Sequence, residues 1–163
     1  MIHILVKLKI SFISFFSTSA LLVICLALAS CAIDVGGYIT PDSNLNKQAN
    51  YYIFHSTRDE RGLHELLRKN MEMRGYNVSS GSEDDLQENI DYVLRYGGQW
   101  QWDVTWYLLN LDIKIYHSET RLLAASPHSL RTSLVRRSSE GVVSETLDQI
   151  FDSQLNFIYR GEK

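Results

Sequence analysis

Beyond its first thirty residues the chain carries four histidines, His55, His64, His117 and His128. Histidine is the side chain best suited to acid–base work near neutral pH. A hydrolase would set one of them between a nucleophile and an orienting acid. None stands in a nucleophile-elbow, zinc-helix or phosphate-loop spacing. His55 is expected to end a strand, His64 to lie on a helix flank, and His117 and His128 to fall at turns. Each reads as a surface or satisfied histidine, so no catalytic residue is assigned. The acidic run Glu83-Asp84-Asp85 lacks the alternating oxygen ligands and turn glycine of a calcium loop. No metal ligand and no cofactor site is assigned either. What remains is aromatic. "GGQWQWDVTWYLL" holds every tryptophan of the chain, Trp100, Trp102 and Trp106. These form either part of a core or a patch that binds a partner.

One further residue has chemistry written into its surroundings. Lys7 and Lys9 precede an uncharged, mostly apolar stretch from Ile10 to Leu28, which ends Leu28-Ala29-Ser30-Cys31. A basic head, an apolar middle and small residues before a break describe a secretory signal. The ending is similar to a bacterial lipobox, where cleavage falls just before a cysteine whose thiol carries a diacylglycerol. Residues 1–30 therefore read as a signal peptide and Cys31 as the lipidated N-terminus of the mature chain. The alternative is an uncleaved anchor, since the stretch approaches the ~20 residues that span a bilayer. Ala32 rather than aspartate after the cysteine favours the outer membrane, periplasmic face. Cys25 would leave with the signal, so Cys31 would be the one mature cysteine, and a disulfide framework is excluded.

The signal takes two of the 16 basic residues and none of the 19 acidic ones, which moves the net charge from −3 to −5. A chain so acidic is a poor general partner for nucleic acid, whose phosphates need clustered Lys and Arg. The one basic cluster, Arg131 with Arg136 and Arg137, reads as a solvated loop.

The elements that must position these residues follow from periodicity. Residues 31–50 mix Gly, Pro, Asn and Ser without an apolar period and read as a lipidated flexible tether. As a coil they would span roughly 24 Å and hold residues 51–163, a single domain, clear of the membrane. "YYIFHS", Tyr51 to Ser56, is a buried strand. Thr57-Arg58-Asp59-Glu60 has the capping-box pattern and opens a helix with Leu63, Leu66, Leu67 and Met71 on one stripe. Gly75 closes it, and "YNV" opens the next strand. Ile90, Tyr92, Leu94 and Tyr96 alternate up to Gly97-Gly98-Gln99. A three-residue hairpin loop there would set Tyr96 against Trp100, Leu94 against Trp102 and Ile90 against Trp106. After Trp106 the apolar phase changes to Leu109, Leu111, Ile113 and Ile115. That change predicts a bulge within Tyr107 to Asn110, which would turn both apolar halves to one core. A turn at Ser118-Glu119-Thr120 would pair Ile115 with Leu123 and Ile113 with Ala125, and Pro127 would stop the strand. A last helix begins near Glu140, with Val143, Leu147, Ile150, Phe151 and Leu155 in line. The expected fold is an α+β two-layer sandwich in the order β-α-β-β-β-α, a four-stranded mixed sheet with two helices on one face. On this reading the tryptophans lie in the core beneath the helices.

Taken together, "GYNV", "IDYVLRY", "WDVTWYLLNLDIKIYHSETRLLAAS" and "VSETLDQIF" resemble a group of small proteobacterial outer-membrane lipoproteins. Their pattern is a Trp-Asp strand, an apolar strand, a Tyr-Asp-x-x-Thr-Gly turn, a Leu-Ala strand and a closing helix. Trp102-Asp103 matches, whereas the turn here reads Tyr116-His117-Ser118-Glu119-Thr120-Arg121, without the usual Asp and Gly. The element order is also similar, at fold level, to lipopolysaccharide-assembly lipoproteins. The resemblance implies an envelope lipoprotein whose motifs are structural rather than catalytic. The expectation is a non-catalytic accessory or structural component, held to the membrane by the lipid on Cys31 and bound to another envelope protein. A carrier or sensor of lipid or peptidoglycan is the alternative, and an unrecognised hydrolase a distant third.

Overall fold

In a computed structural model of the chain, the described residues are 33–41 and 43–160, with side chains to Phe151. Cys31 and the whole signal region lie outside them, as does the side chain of Leu155. The strands are β1 (Ile33–Ile39), β2 (Asn50–Phe54), β3 (Asn77–Gly81), β4 (Tyr92–Asp103), β5 (Thr105–His117) and β6 (Leu123–Arg131). The helices are α1 (Leu63–Met73), between β2 and β3, and α2 (Ser139–Arg160), after β6. All six strands form one mixed sheet in the order β1-β6-β5-β4-β2-β3. The fold is α+β as expected, but with six strands instead of four.

The parallel pair β2 and β3 is joined by α1, because a parallel connection must cross from one end of the sheet to the other. Leu63, Leu67 and Met71 of α1 meet Val143, Leu147, Ile150 and Phe151 of α2 over the sheet residues Tyr51, Leu94, Leu111, Ile113 and Ile115. Both helices thus bury the stripes that their spacing announced, that of α2 as far as Phe151. Helix α1 ends as expected at Gly75, whose φ of 84° allows two closing bonds. Its N–H reaches the Glu72 carbonyl at 2.9 Å and that of Tyr76 reaches Met71 at 3.1 Å. A smaller apolar group, Tyr52, Phe54, Ile90 and Val93, lies on the opposite face beneath Leu86.

Five expectations are corrected here. The segment read as a tether is not a coil, because Ile33–Ile39 forms an edge strand paired with β6, Ile33 opposite Arg131. Beyond it Leu45 and Ala49 are buried. Its apolar alternation, Ile33, Val35 and Ile39, is broken by Gly36-Gly37 and brings only Ile39 against the core, so periodicity missed it. The hairpin loop is not at Gly97-Gly98-Gln99, which lie inside β4. The turn comes at Val104, with Trp102 opposite Trp106. Strand β6 runs through Pro127, which pairs with Gly37 of β1 while the ladder to β5 skips it. A strand with a neighbour on its other side can lose one bond and continue. The register between β5 and β6 is also shifted, with Ile115 opposite Ala125. Finally, α1 starts at Leu63, not at a Thr57 capping box.

The bulge is where the phase change placed it. Gln99 pairs with Asn110 and Trp100 with Leu108, which leaves Leu109 as the extra residue. Trp100, Trp102 and Trp106 consequently share the helix-facing side with Leu108, Leu111 and Ile113. The side of the sheet was legible in the sequence.

Candidate functional site

The site is assembled where the β4–β5 hairpin runs past the start of α1. Gly98 lies on the helix-facing side of β4, and a Cβ there would sit 2.6 Å from Leu63 Cδ2. The glycine therefore lets the first residue of α1 press against the strand. One pair further along, Trp100 is partly buried against the edge of the core. The next pair, Trp102 and Trp106, has run past both helices. These rings lie 6.5 Å apart between centroids and are 53% and 51% exposed. The core reading therefore fails for Trp102 and Trp106, although the face was right, because the hairpin is longer than the helices that cover it.

Arg61 binds the aromatic cluster together. Its guanidinium carbon lies 3.8 Å from the centroid of Trp106 and 5.5 Å from that of Trp100. A guanidinium over an indole face is attracted by the ring quadrupole, worth ~0.5–1 kcal/mol at exposed sites. On the far side of the hairpin Arg136 pairs with Asp103 and covers the Tyr107 ring at 4.6 Å. Val104 forms the tip at a φ of 63° and is 83% exposed. That left-handed backbone is unfavourable for a β-branched residue, so the tip holds an apolar side chain against its own conformational preference.

Behind this surface Asp59 fixes the loop that presents Arg61. One carboxylate oxygen accepts the backbone N–H of Leu63 at 2.9 Å and of Arg61 at 3.3 Å. The other accepts the His64 N–H at 2.8 Å, the Tyr96 hydroxyl at 2.8 Å and His64 Nδ1 at 2.9 Å. Burial alone would raise this carboxyl, but the bonds from the His64 and Leu63 amides and the His64 and Tyr96 side chains hold it well below the usual range. The Tyr96 hydroxyl is pushed up, first by burial and then by the carboxylate to which it donates.

His55, Asp59 and His64 bring metal-ligand atoms within 4.8 Å of one another, a cluster that sequence spacing did not reveal. Their geometry suits a structural role better than a metal. Asp59 is already held by five donors. The two imidazoles stack at 3.9 Å with a 27° tilt, so their in-plane lone pairs run side by side rather than converging on one point. An open cleft of about 350 Å³ lies between Arg58, Asp59, Glu60, Tyr96 and Trp100. A second cleft, of about 460 Å³, sits at the other end of the sheet by Asn44, Asp91, Tyr92 and His117. Both are lined largely by polar side chains.

The remaining sequence candidates are dispersed. His117 contacts Ser43 Oγ at 3.2 Å, and His128, within β6 rather than at a turn, lies 3.5 Å from Asp34. Glu83–Asp85 is a single 3₁₀ turn capped by Ser82. The solvated-loop reading of the arginines is corrected for Arg131, which is buried in β6 and paired with Glu145. Arg137 approaches the same carboxylate at 3.2 Å.

No protein-family model and no curated protein matches the chain. Among solved structures, it is similar to a PelC dodecamer from Paraburkholderia phytofirmans, with a TM-score of 0.57 at 11% identity. That match covers 71% of this chain and 97% of the other. A variant of the same PelC gives a TM-score of 0.53 at 11% identity and the same coverage. A minor lipoprotein from Acinetobacter baumannii matches at a TM-score of 0.31 and 15% identity, over 68% of this chain and 94% of that one. The PelC likeness is one of fold. Among the described residues, no helix is long and apolar enough to cross a membrane.

Proposed function

We propose that this protein is a lipid-anchored, periplasm-facing lipoprotein of the outer membrane, a non-catalytic structural or accessory component that binds another envelope protein. The observation that carries the reading is the state of Asp59. It is the carboxylate best placed for chemistry, beside two histidines, yet its lone pairs are spent on the α1 amides, Tyr96 and His64. A general base needs a free lone pair within reach of a substrate proton. What the same residues do instead is fix the loop that lays Arg61 over the exposed Trp106 and the partly buried Trp100. Exposed aromatics beside an arginine mark a docking surface, for a membrane or a partner, rather than a site that turns over substrate.

Two further points support it. The run from Lys7 through Cys31 is that of a lipidated export signal. The structurally similar PelC is a dodecamer, so a fold of this kind can serve in a multi-copy assembly, and copies of this chain are themselves among the partners the reading allows. The two clefts, open and polar-lined, suit water better than the acyl chain a lipid carrier would hold.

Crosslinking on intact cells followed by mass spectrometry tests the partner directly. A reproducible envelope protein, or self-crosslinks in stoichiometric yield, is expected; a chain that crosslinks to nothing overturns the reading. For the anchor, Cys31→Ser should accumulate full-length precursor and lose lipid labelling. Normal processing of that variant would remove the lipoprotein assignment.

A further inference from the structure

The two ends of the sheet differ sharply in what they expose. Among the described residues, six of the nine exposed large apolar side chains lie at one end: Ile33, Trp102, Val104, Trp106, Leu130 and Leu134. Leu134 is 90% exposed, in the loop that Arg136 ties to the hairpin through Asp103. The other three, Tyr38, Met73 and Leu122, are scattered elsewhere. Arginines are interleaved with the apolar group, Arg58 and Arg61 before α1 and Arg136 and Arg137 before α2. Asp34, Glu60 and Asp103 share this end; Arg136 is paired with Asp103, and Arg137 lies 3.2 Å from Glu145.

This is also the end at which the chain enters the domain. Ile33 stands opposite Arg131, next to Leu130, which pairs with Asn110. Cys31 is only two residues before Ile33, so the covalent chain can carry it no more than about 7.6 Å from Ile33. The β4–β5 hairpin continues past the Gln99–Asn110 pair for another four residues to Asp103, roughly 13 Å at ~3.3 Å per residue. The hairpin therefore reaches at least as far from the sheet as the anchor cysteine can.

We infer that the tip of the β4–β5 hairpin, with Trp102, Val104 and Trp106, enters the phospholipid interface beside the lipid on Cys31. The inference rests on the lipid anchoring proposed above and adds a second, non-covalent attachment. Indole rings favour the headgroup boundary, where an apolar body and a polar N–H are both accommodated. Arg58 and Arg61, exposed at this end, are placed to meet lipid phosphates. An apolar tip so placed would be buried about 5–10 Å into the boundary. Two attachments on one end hold the domain upright, where a lipid alone would let it swing.

The test uses the mature protein purified from membranes and placed in vesicles of phosphatidylethanolamine and phosphatidylglycerol, with or without bromine on the acyl chains. Mass spectrometry of the N-terminal peptide reports lipidation separately. One variant keeps Trp102 alone (Trp100→Phe with Trp106→Phe) and another keeps Trp100 alone (Trp102→Phe with Trp106→Phe). Bromolipid is expected to quench Trp102 and shift its emission to the blue, leaving Trp100 unchanged. Should Trp100→Phe fail to fold, the wild-type protein compared with the Trp100-only variant carries the same contrast. Unquenched Trp102 in protein whose mass shows the lipid overturns the inference while leaving the anchor intact. Val104→Cys that crosslinks between copies, with no quenching, would give the tip to a second copy and also overturn it. An N-terminus without lipid removes the anchor reading and this inference with it.

Discussion

Leu63 Cδ2 occupies the space that a side chain on Gly98 would need, 2.6 Å from the Cβ position. This contact joins the first residue of α1 to the base of the tryptophan hairpin. Gly98→Ala should force a shift and cost about 1–3 kcal/mol, the usual range for overpacking. Leu63 is a flexible partner, so Leu63→Ala in the same chain should recover part of the loss. Chemical denaturation of both single variants and the double variant measures the coupling. Additive losses would show that the two residues do not share this space.

Asp59 should make the domain sensitive to acid. Its folded-state carboxyl titrates well below the ordinary value, so its contribution is complete above the unfolded-state pKa of ~3.9. It is lost as pH falls from there toward the folded-state value. Asp59→Asn should lower stability at neutral pH by about 1–2 kcal/mol, the scale of a lost helix cap. The gap between wild type and variant should narrow below pH ~4. A gap that is constant with pH, read from denaturation midpoints, would contradict the ionised cap.

The three tryptophans should separate in their effect on stability. Trp102→Ala and Trp106→Ala remove half-exposed rings and should each cost less than the ~3–5 kcal/mol of a buried Trp→Ala change. Trp100→Ala, at the edge of the core, should cost more than either. Equal losses at all three positions would mean that the outer pair is covered in the native state.

Val104 should be a stabilisable position. Val104→Gly frees the left-handed tip from its side chain and should raise stability by up to ~1 kcal/mol. Thermal unfolding would show the gain. An unchanged or lowered midpoint would mean that the turn does not hold Val104 at positive φ.

The misplaced hairpin shows where sequence reasoning runs out. Gly97-Gly98 is a strong turn signal taken locally, yet both glycines are in β4, where the bare Gly98 leaves room for Leu63. Val104, the actual tip, carries no turn signature. The tether was misread for a related reason. Strand β1 is exposed along most of its length, so it is held mainly by backbone pairing with β6, and its short alternation, interrupted by Gly36-Gly37, leaves only a weak periodic trace. The phase change after Trp106, by contrast, identified the bulge at Leu109, because a period of two cannot change phase within a strand without an extra residue.

By itself, the amino-acid sequence determined the two helix stripes, the apolar face of each inner strand, the bulge and the face that the tryptophans share. All of these follow from side chains repeating with a local period against a single core. Only the tertiary structure decided how far that core extends. A residue's face is set by its neighbours in the chain, whereas its burial depends on whether a distant helix reaches over it. The helices cover Leu94 and Ile113 completely, meet Trp100 at their edge, and stop short of Trp102 and Trp106. Asp59, His55 and His64 likewise meet because β2 ends and α1 begins at the same side of the sheet, a proximity between elements that no spacing within either one could express.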